Sequence, residues 1–387
     1  MNNEYLCRDC VVDVDIRQYI LLYGENKKCT ICGKYNECVI VNDKNLIRMV
    51  RALIRYHYPE YMYNTHWGAD DRPEGLLLNY NPIIRRFDKN FMVTREEYKF
   101  ILSDIIGGID SNHEISLYKR SIYGERDLFG LSLKQEGTYL WKSIISEITN
   151  TNYSDLIDKY KMEIANLLKK NKEFLIESTI WYRSRIGYER VSEKHDVFEY
   201  ETVRNEPYKD EEIMAPPSSI ATGGRANREG ISYYYLSNTE ETAIAEVRPH
   251  PGHYVSVAKF YIENQLNILN LYETNLLDFS KSEKELLSYV AFREFANEFE
   301  VPLIPELRNR YLKSQLISDI AKILGYDGIL YNSSVAEGIN IVIFDRNKVK
   351  YEKNSSVLYK IIKHCFKVGK IKNEINFLEQ YEEKIIE

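Results

Sequence analysis

Four cysteines near the start of the chain fall into two pairs, Cys7/Cys10 and Cys29/Cys32, separated by residues 11–28. Each C-x2-C unit places two thiolates on one tight turn, and two such turns close a tetrahedral site for Zn2+. With four protein thiolates as ligands the site is closed and structural, since a catalytic zinc keeps an open position. Gly33 directly follows Cys32, where a knuckle turn favours an open backbone. A disulfide framework suits a short secreted domain, whereas paired cysteines in a chain of 387 residues point to metal. Cys38 and Cys365 read as spare thiols. A second concentration of reactive residue types lies in GGRANREGISYYYLSNTEETAIAEVR, Gly223 to Arg248, which brings glycines, arginines, three consecutive tyrosines and carboxylates together.

These residues need elements to position them. At 387 residues the chain exceeds the usual size of one compact core, so about two domains are expected. Apolar residues make up 44% and charged residues 28%, the profile of a folded globular protein. The 52 basic and 58 acidic residues give a net charge of -6, with no global attraction to phosphate backbones or anionic membranes. No apolar run is long enough to span a bilayer, and the start MNNEYLCRDC lacks the basic and apolar regions of a signal peptide. A cytoplasmic location and no membrane partner are expected.

From Lys44 to Ser178 apolar residues recur every three or four positions, in NLIRMVRALIRYHY, TREEYKFILSDIIGG, TYLWKSIISEI and NYSDLIDKYKMEIANLLKKNKEFLIES. Gly107 and Gly108 read as a helix stop. After Ser178 β-branched and aromatic runs take over: TIWYRSRIG, SYYYLS, YVSVAKFYI, QLNILNLY, YDGILYN and GINIVIFD. Helices are expected around Glu240 to Glu246, Lys284 to Phe299 and Arg310 to Leu324. The fold class is therefore α+β. A zinc-binding module spans 1–42, a helical domain 43–178, an α+β domain 179–352 and a Lys/Glu-rich, helix-like tail 353–387.

Taken together, WYRSRIG, IMAPPSSIATGGRANREGISYYYLSNTEETAIAEVRPHPG and GYDGILYNSSVAEGINIVIFD resemble the RES domain family over roughly Thr179 to Lys350. The resemblance implies a fold related to ADP-ribosyltransferases, NAD+ as substrate, and a toxin often neutralised by an antitoxin. The cysteine pairs and helical region resemble the zinc-bearing HEPN/RES N-terminal extension of some longer members.

A site for NAD+ needs fixed positive donors for the pyrophosphate, a flat apolar face and one carboxylate. Arg183 heads the family's first motif, in a predicted strand, and its fork can grip phosphate oxygens two at a time. Arg225 follows Gly223 and Gly224, whose missing side chains let backbone N–H groups approach an anion. Tyr233 and Tyr235 share a strand face; Tyr235 occupies the family's Tyr position, to stack on nicotinamide or shape the cleft, while Tyr233 packs. Glu246 lies among small apolar residues on a helix capped by Asn238 or Thr239, where a carboxylate is costly to bury without a partner. Its implied role is to hold the ribose hydroxyl and stabilise oxocarbenium charge as the glycosidic bond breaks. Ser333 best matches the family Ser, with Ser334 and Ser314 as alternatives, and Asn340 follows where members often carry an Asn. Ala226 stands where many shorter members have Trp, and the Pro216/Pro217 loop could move as a lid.

These readings imply an enzyme that cleaves the nicotinamide–ribose bond of NAD+ and passes ADP-ribose to water, phosphate or a protein side chain, with structural Zn2+ and an antitoxin or regulatory protein as partner. Two rivals stand beside it. One is a nucleic-acid-binding zinc and helical module using KNLIRMVRALIR, which the overall charge disfavours. The other is a HEPN-type ribonuclease using Arg51 and His57. Neither accounts for Arg183, Arg225, Tyr235 and Glu246 together.

Overall fold

The computed structural model describes residues 3–59, 62, 77–78, 82–85, 95–106, 132–148, 151–168, 172–175, 179–195, 200–272, 275–301 and 311–363. Gly107, Gly108 and Cys365 lie outside the described residues.

The N-terminal module is a three-stranded antiparallel sheet, β1 (Tyr5–Cys7), β2 (Glu25–Lys28) and β3 (Tyr35–Ile40), with β3 in the middle. Between the cysteine pairs runs helix α1 (Val14–Tyr23), whose N-cap Asp13 accepts from the Ile16 N–H. Helix α2 (Lys44–His57) follows, capped by Asp43, whose carboxylate accepts from the N–H groups of Asn45 and Leu46. Such caps satisfy donors that the first helical turn leaves free. Helices α3 (Arg95–Ile106), α4 (Leu133–Ile148) and α5 (Tyr153–Leu168) complete the helical part expected before residue 178.

One expectation there is corrected. The apolar periodicity predicts helix through to Ser178, but Lys172–Leu175 is a strand, β4, paired antiparallel with β10 (Leu266–Asn270). A four-residue segment beside an unpaired sheet edge takes the backbone hydrogen bonds on offer there, and tertiary context overrides its local preference.

The main sheet has nine strands among the described residues. Those after β4 are β5 (Thr179–Ile186), β8 (Tyr234–Ser237), β9 (Tyr254–Ile262), β10, β11 (Gly328–Asn332), β12 (Ile339–Ile343), β13 (Val349–Tyr351) and β14 (Val357–Lys360). The order is β13-β9-β5-β8-β12-β11-β10-β4, with β14 also on β9. All pairs are antiparallel except β10 with β11. A separate hairpin joins β6 (Glu189–His195) and β7 (Tyr200–Glu206). The expected helix-like tail is corrected where it is described: Val357–Lys360 is the strand β14, held on β9. The helices on this side are α6 (Glu240–Glu246), α7 (Leu276–Phe279), α8 (Glu283–Glu300) and α9 (Leu312–Ile323). Helices α6, α8 and α9 lie close to where the periodicity put them, and α7 adds a short turn that it did not mark.

Buried apolar residues form two clusters, and the sheet divides them. On one face Trp181, Tyr234, Leu236, Phe260, Ile341 and Ile343 pack with Ile213 and Ala215. On the other, Tyr233, Ile329, Tyr331 and Val342 meet α8 and α9, and the same cluster continues into α2, α4, α5 and the cysteine module. The division of the core thus follows the sheet and not residue 178. Polar ties run across the join: Tyr289 donates to Asp15 at 2.5 Å, Arg48 to Ser280 at 3.0 Å and Tyr153 to Asp319 at 3.0 Å. Burial pushes Asp13 up to about 6, helped by the neighbouring Asp15 charge.

Candidate active site

The site is built where the sheet opens. Strands β5 and β8 meet at one register pair, Tyr182 with Ser237, and diverge beyond it. Continuing across the sheet, Ser237 pairs with Asn340 and Asn340 with Tyr331. Directly paired residues share a face, so Tyr182, Ser237, Asn340 and Tyr331 form one row across four strands. All four line a cavity of about 180 Å3, together with Arg183, Ser184, Tyr235, Leu236, Ala243, Glu246 and Val247. Helix α6 supplies Ala243 and Glu246, with Val247 as its C-cap. It starts at the Thr239 cap, whose hydroxyl accepts from the Thr242 N–H, and the Ser184 hydroxyl of β5 ties down its Ala243 carbonyl.

Glu246 is the one carboxylate among those lining residues. Its Oε1 accepts from Ser333 Oγ at 2.6 Å and from Asn340 Nδ2 at 2.6 Å. The Ser333 oxygen in turn accepts from the N–H groups of Val335 (3.3 Å) and Ala336 (3.2 Å), so its single proton is directed to the carboxylate. Short, charge-assisted bonds of this kind hold an ionised acid in one rotamer. Both fall on Oε1, leaving Oε2 for another partner. Tyr331, fully inside the fold, is raised well above the ordinary phenol range by burial and by the Glu246 charge. It remains a neutral wall of the cavity.

Arg183 alternates with Tyr182 and Ser184 along β5 and therefore starts on the opposite sheet face, beside Trp181. Arg183 is among the cavity's lining residues, and its Nη1 donates to the Tyr235 carbonyl at 3.3 Å while its Nε donates at 3.0 Å to the carbonyl of Ile213, a member of the core cluster on that face. Burial lowers Arg183 to about 10, with the like charges of Arg185 and Arg346 adding to it. It stays cationic at neutral pH, and three of its five N–H donors remain for a ligand.

The phenol of Tyr235 donates to Asn227 Oδ1 at 2.6 Å and accepts from the Ala226 N–H at 3.0 Å. Tyr235 therefore welds the Gly-Gly-Arg loop to the cavity wall. Gly224 is required by that closeness: a Cβ there would lie 2.8 Å from the Tyr235 hydroxyl and 2.7 Å from Asn227 Oδ1. Its N–H is bonded to the Asn227 carbonyl at 2.9 Å, closing the loop on itself at that position. Gly223 sits in the same loop, and neither glycine is among the lining residues.

Arg225 also stands off the cavity. Its guanidinium bonds Ser334 Oγ at 3.0 Å and the Glu298 carbonyl at 3.4 Å, over the ring of Tyr311. The alternatives for the Ser separate accordingly. Ser333 meets Glu246, Ser334 meets Arg225, and Ser314 donates to the Arg225 carbonyl at 2.6 Å from inside α9. Ala226 is buried in the core, and the Pro216 loop is held by the Ser232 hydroxyl outside the cavity.

Sequence reasoning missed Tyr182, Ser237, Tyr331 and the bracing pair Asn227 and Gln315; the latter donates to the Gly224 and Asn227 carbonyls. Period-two alternation from Tyr235 pointed to Ser237. No local signal marks Tyr331, which depends on register.

The cysteine cluster is a second centre. The sulfurs of Cys7, Cys10, Cys29 and Cys32 all lie within 4.8 Å of one another, with Cys7 to Cys32 at 3.7 Å and Cys29 to Cys10 at 3.9 Å. A tetrahedral ion about 2.3 Å from each sulfur spaces them about 3.8 Å apart, so the donors fit Zn2+. Gly33 turns the second knuckle at φ 71°, its N–H on the Cys29 carbonyl. Within the cluster, hydrogen bonds from Cys10 and Cys7 lower the Cys29 thiol, while those same bonds, burial and the Cys29 charge raise Cys7 and Cys10, so these three share their protons as a unit. Cys38 is separate, donating to the Lys27 carbonyl.

The two residues named for ribonuclease chemistry stand apart from the cavity. Arg51 donates to the Ile106 carbonyl at 2.5 Å. His57 is lowered to about 4 by burial, with Lys134 contributing, and its Nδ1 has no partner.

Among the described residues no helix is long and apolar enough to cross a membrane. No curated protein matches the chain. One solved structure, described as the crystal structure of the M. tuberculosis MbcT-MbcA toxin-antitoxin complex, is similar at 12% identity and a TM-score of 0.31. The match covers 51% of this chain and 91% of that one. Residues 199–359 match the family model described as the RES domain, a match that begins after Arg183 and takes in Arg225, Tyr235, Glu246, Ser333 and Asn340. Over these residues, the chain carries a RES domain.

Proposed function

We propose that the RES domain breaks the nicotinamide–ribose bond of NAD+. The observation that carries this reading is Glu246, the lone carboxylate of the cavity, fixed through Oε1 by Ser333 and Asn340 beside Arg183 and tyrosine rings. At about 180 Å3 the cavity falls below the roughly 300–1,000 Å3 of pockets that engulf a small ligand. It therefore takes one end of a dinucleotide, the nicotinamide and its ribose, and the rest lies outside.

As the C–N bond breaks, its electron pair leaves with nicotinamide and positive charge grows on the ribose. Glu246 Oε2 holds the ribose hydroxyl and that charge in place, and because the carboxylate is already oriented, no reorganisation is needed in the transition state. Arg183 supplies the remaining N–H donors to phosphate oxygens. Tyr182, Tyr235 and Tyr331 give the flat walls. Attack on the ribose by water, phosphate or a protein side chain, with loss of its proton, completes the transfer of ADP-ribose.

In this reading the protein is a toxin or effector that acts on cytoplasmic NAD+ and is restrained by an antitoxin or regulatory protein. The four cysteines hold a structural Zn2+, and the N-terminal parts, 1–42 and 43–178, serve as a zinc-bearing sensor for residues 179–352. Purified protein incubated with NAD+, with and without phosphate and cell lysate, should release nicotinamide, and Glu246→Ala and Arg183→Ala should not. Release that survives Glu246→Ala would overturn the reading.

A further inference from the structure

Two hydrogen-bond chains converge on Glu246 Oε1, and they differ in how their direction is set. In the first, two backbone N–H groups occupy the Ser333 oxygen, so the hydroxyl can only donate onward. In the second, Asn340 faces the carboxylate with an amide whose two ends are nearly alike in shape and opposite in polarity. With Nδ2 inward the contact to Glu246 is a 2.6 Å bond. With Oδ1 inward it sets two acceptors against each other. The carboxylate, which only accepts, favours the first, and the far end of the amide is where the orientation can be held. There Ser237 Oγ donates to Asn340 Oδ1 at 2.7 Å.

We propose that Ser237 is a positioning residue that fixes the amide of Asn340 so that its N–H, and not its carbonyl, meets Glu246. Both side chains are buried, at 3% and 4% exposure, so water does not substitute for either partner. The pairing follows from the sheet: Ser237 and Asn340 are direct register partners in β8 and β12, and neither can move without breaking the row from Tyr182 to Tyr331. A hydroxyl donor at position 237 polarises the amide, which strengthens the bond it gives to the carboxylate. The role of Glu246 rests on the reading above, but the orientation of Asn340 does not.

Ser237→Ala, Ser237→Thr and Asn340→Asp in the full chain provide the test. The side-chain amide protons of Asn340, assigned by their disappearance in Asn340→Asp, are followed by 15N nuclear magnetic resonance without NAD+. The wild type should show one pair of slowly exchanging signals. In Ser237→Ala the pair should broaden or split and exchange with solvent at least about tenfold faster, and Ser237→Thr, which keeps the hydroxyl, should restore it. With NAD+, nicotinamide release by Ser237→Ala should fall about tenfold in kcat with KM changed less than about twofold. Unchanged Asn340 signals in a folded Ser237→Ala, or no recovery in Ser237→Thr, would overturn the proposal. If the signals respond and no variant, wild type included, releases nicotinamide, the reading of the reaction fails and the positioning role stands. A Ser237→Ala chain that does not fold moves the decision to Ser237→Cys, whose weaker donor should give an intermediate exchange rate, and wild-type exchange there would count against the proposal.

Discussion

Removing the hydroxyl of Ser333 isolates one contact to the candidate acid. In Ser333→Ala the 2.6 Å bond to Glu246 Oε1 is lost, and Asn340 is left as its only donor from the protein among the described residues. A hydrogen bond to a charged group contributes about 1.5–3 kcal/mol. At about 1.4 kcal/mol per decade, its loss from the transition state slows the reaction by about 10- to 150-fold. The cost to folding should be smaller, because the N–H groups of Val335 and Ala336 bond Ser333 only at 3.3 and 3.2 Å, and the half-exposed loop admits water in their place. Ser334→Ala is the control. That side chain meets Arg225 and not Glu246, so its variant should keep nicotinamide release within about threefold while its melting temperature falls. The assay is chromatographic measurement of nicotinamide released from NAD+, beside thermal unfolding. A Ser333→Ala protein with full activity and normal melting would refute the assignment of Ser333 as the group that fixes the acid.

Tyr235→Phe deletes the hydroxyl that joins Asn227 and Ala226; with both partners then unsatisfied, stability should fall by about 1–3 kcal/mol, read by denaturant unfolding. Elemental analysis should find one zinc per chain, and Cys29→Ser should lose it along with thermal stability, because the four sulfurs close around a single ion. His57 is depressed to about 4 from an ordinary value near 6.5. The unfolded chain therefore binds its proton first, so this contribution is intact above pH 6.5 and is lost as pH falls towards 4, by at most about 2–3 kcal/mol after allowance for partial exposure. His57→Gln should flatten the stability profile in that window, and an unchanged slope would refute the burial argument.

Local chemistry made a large part of the molecule legible. The knuckle cysteines identified themselves by spacing, since two residues between thiols is the reach of one turn. Strands β5, β9 and β12 stood out because β-branched and aromatic residues alternate there, and α6 because Thr239 caps an apolar stripe that ends at Glu246. Those signals depend on neighbours within a few positions, and they marked Glu246; the resemblance to the RES domain family supplied Arg183, Tyr235, Ser333 and Asn340. What tertiary structure alone decided was register and separation. Tyr331, Asn340, Ser237 and Tyr182 come from four strands and lie between positions 182 and 340 of the chain, and a shift of one residue in any pairing would turn its side chain to the other face. Arg183 is likewise placed by tertiary contacts, its guanidinium held by the Ile213 and Tyr235 carbonyls, and Arg225 stands off the cavity because α8 and the Ser334 loop claim its guanidinium. Residue type and spacing specify which groups are able to act. The backbone pairing of distant strands, paid for by burial on both sheet faces, determines which of them meet.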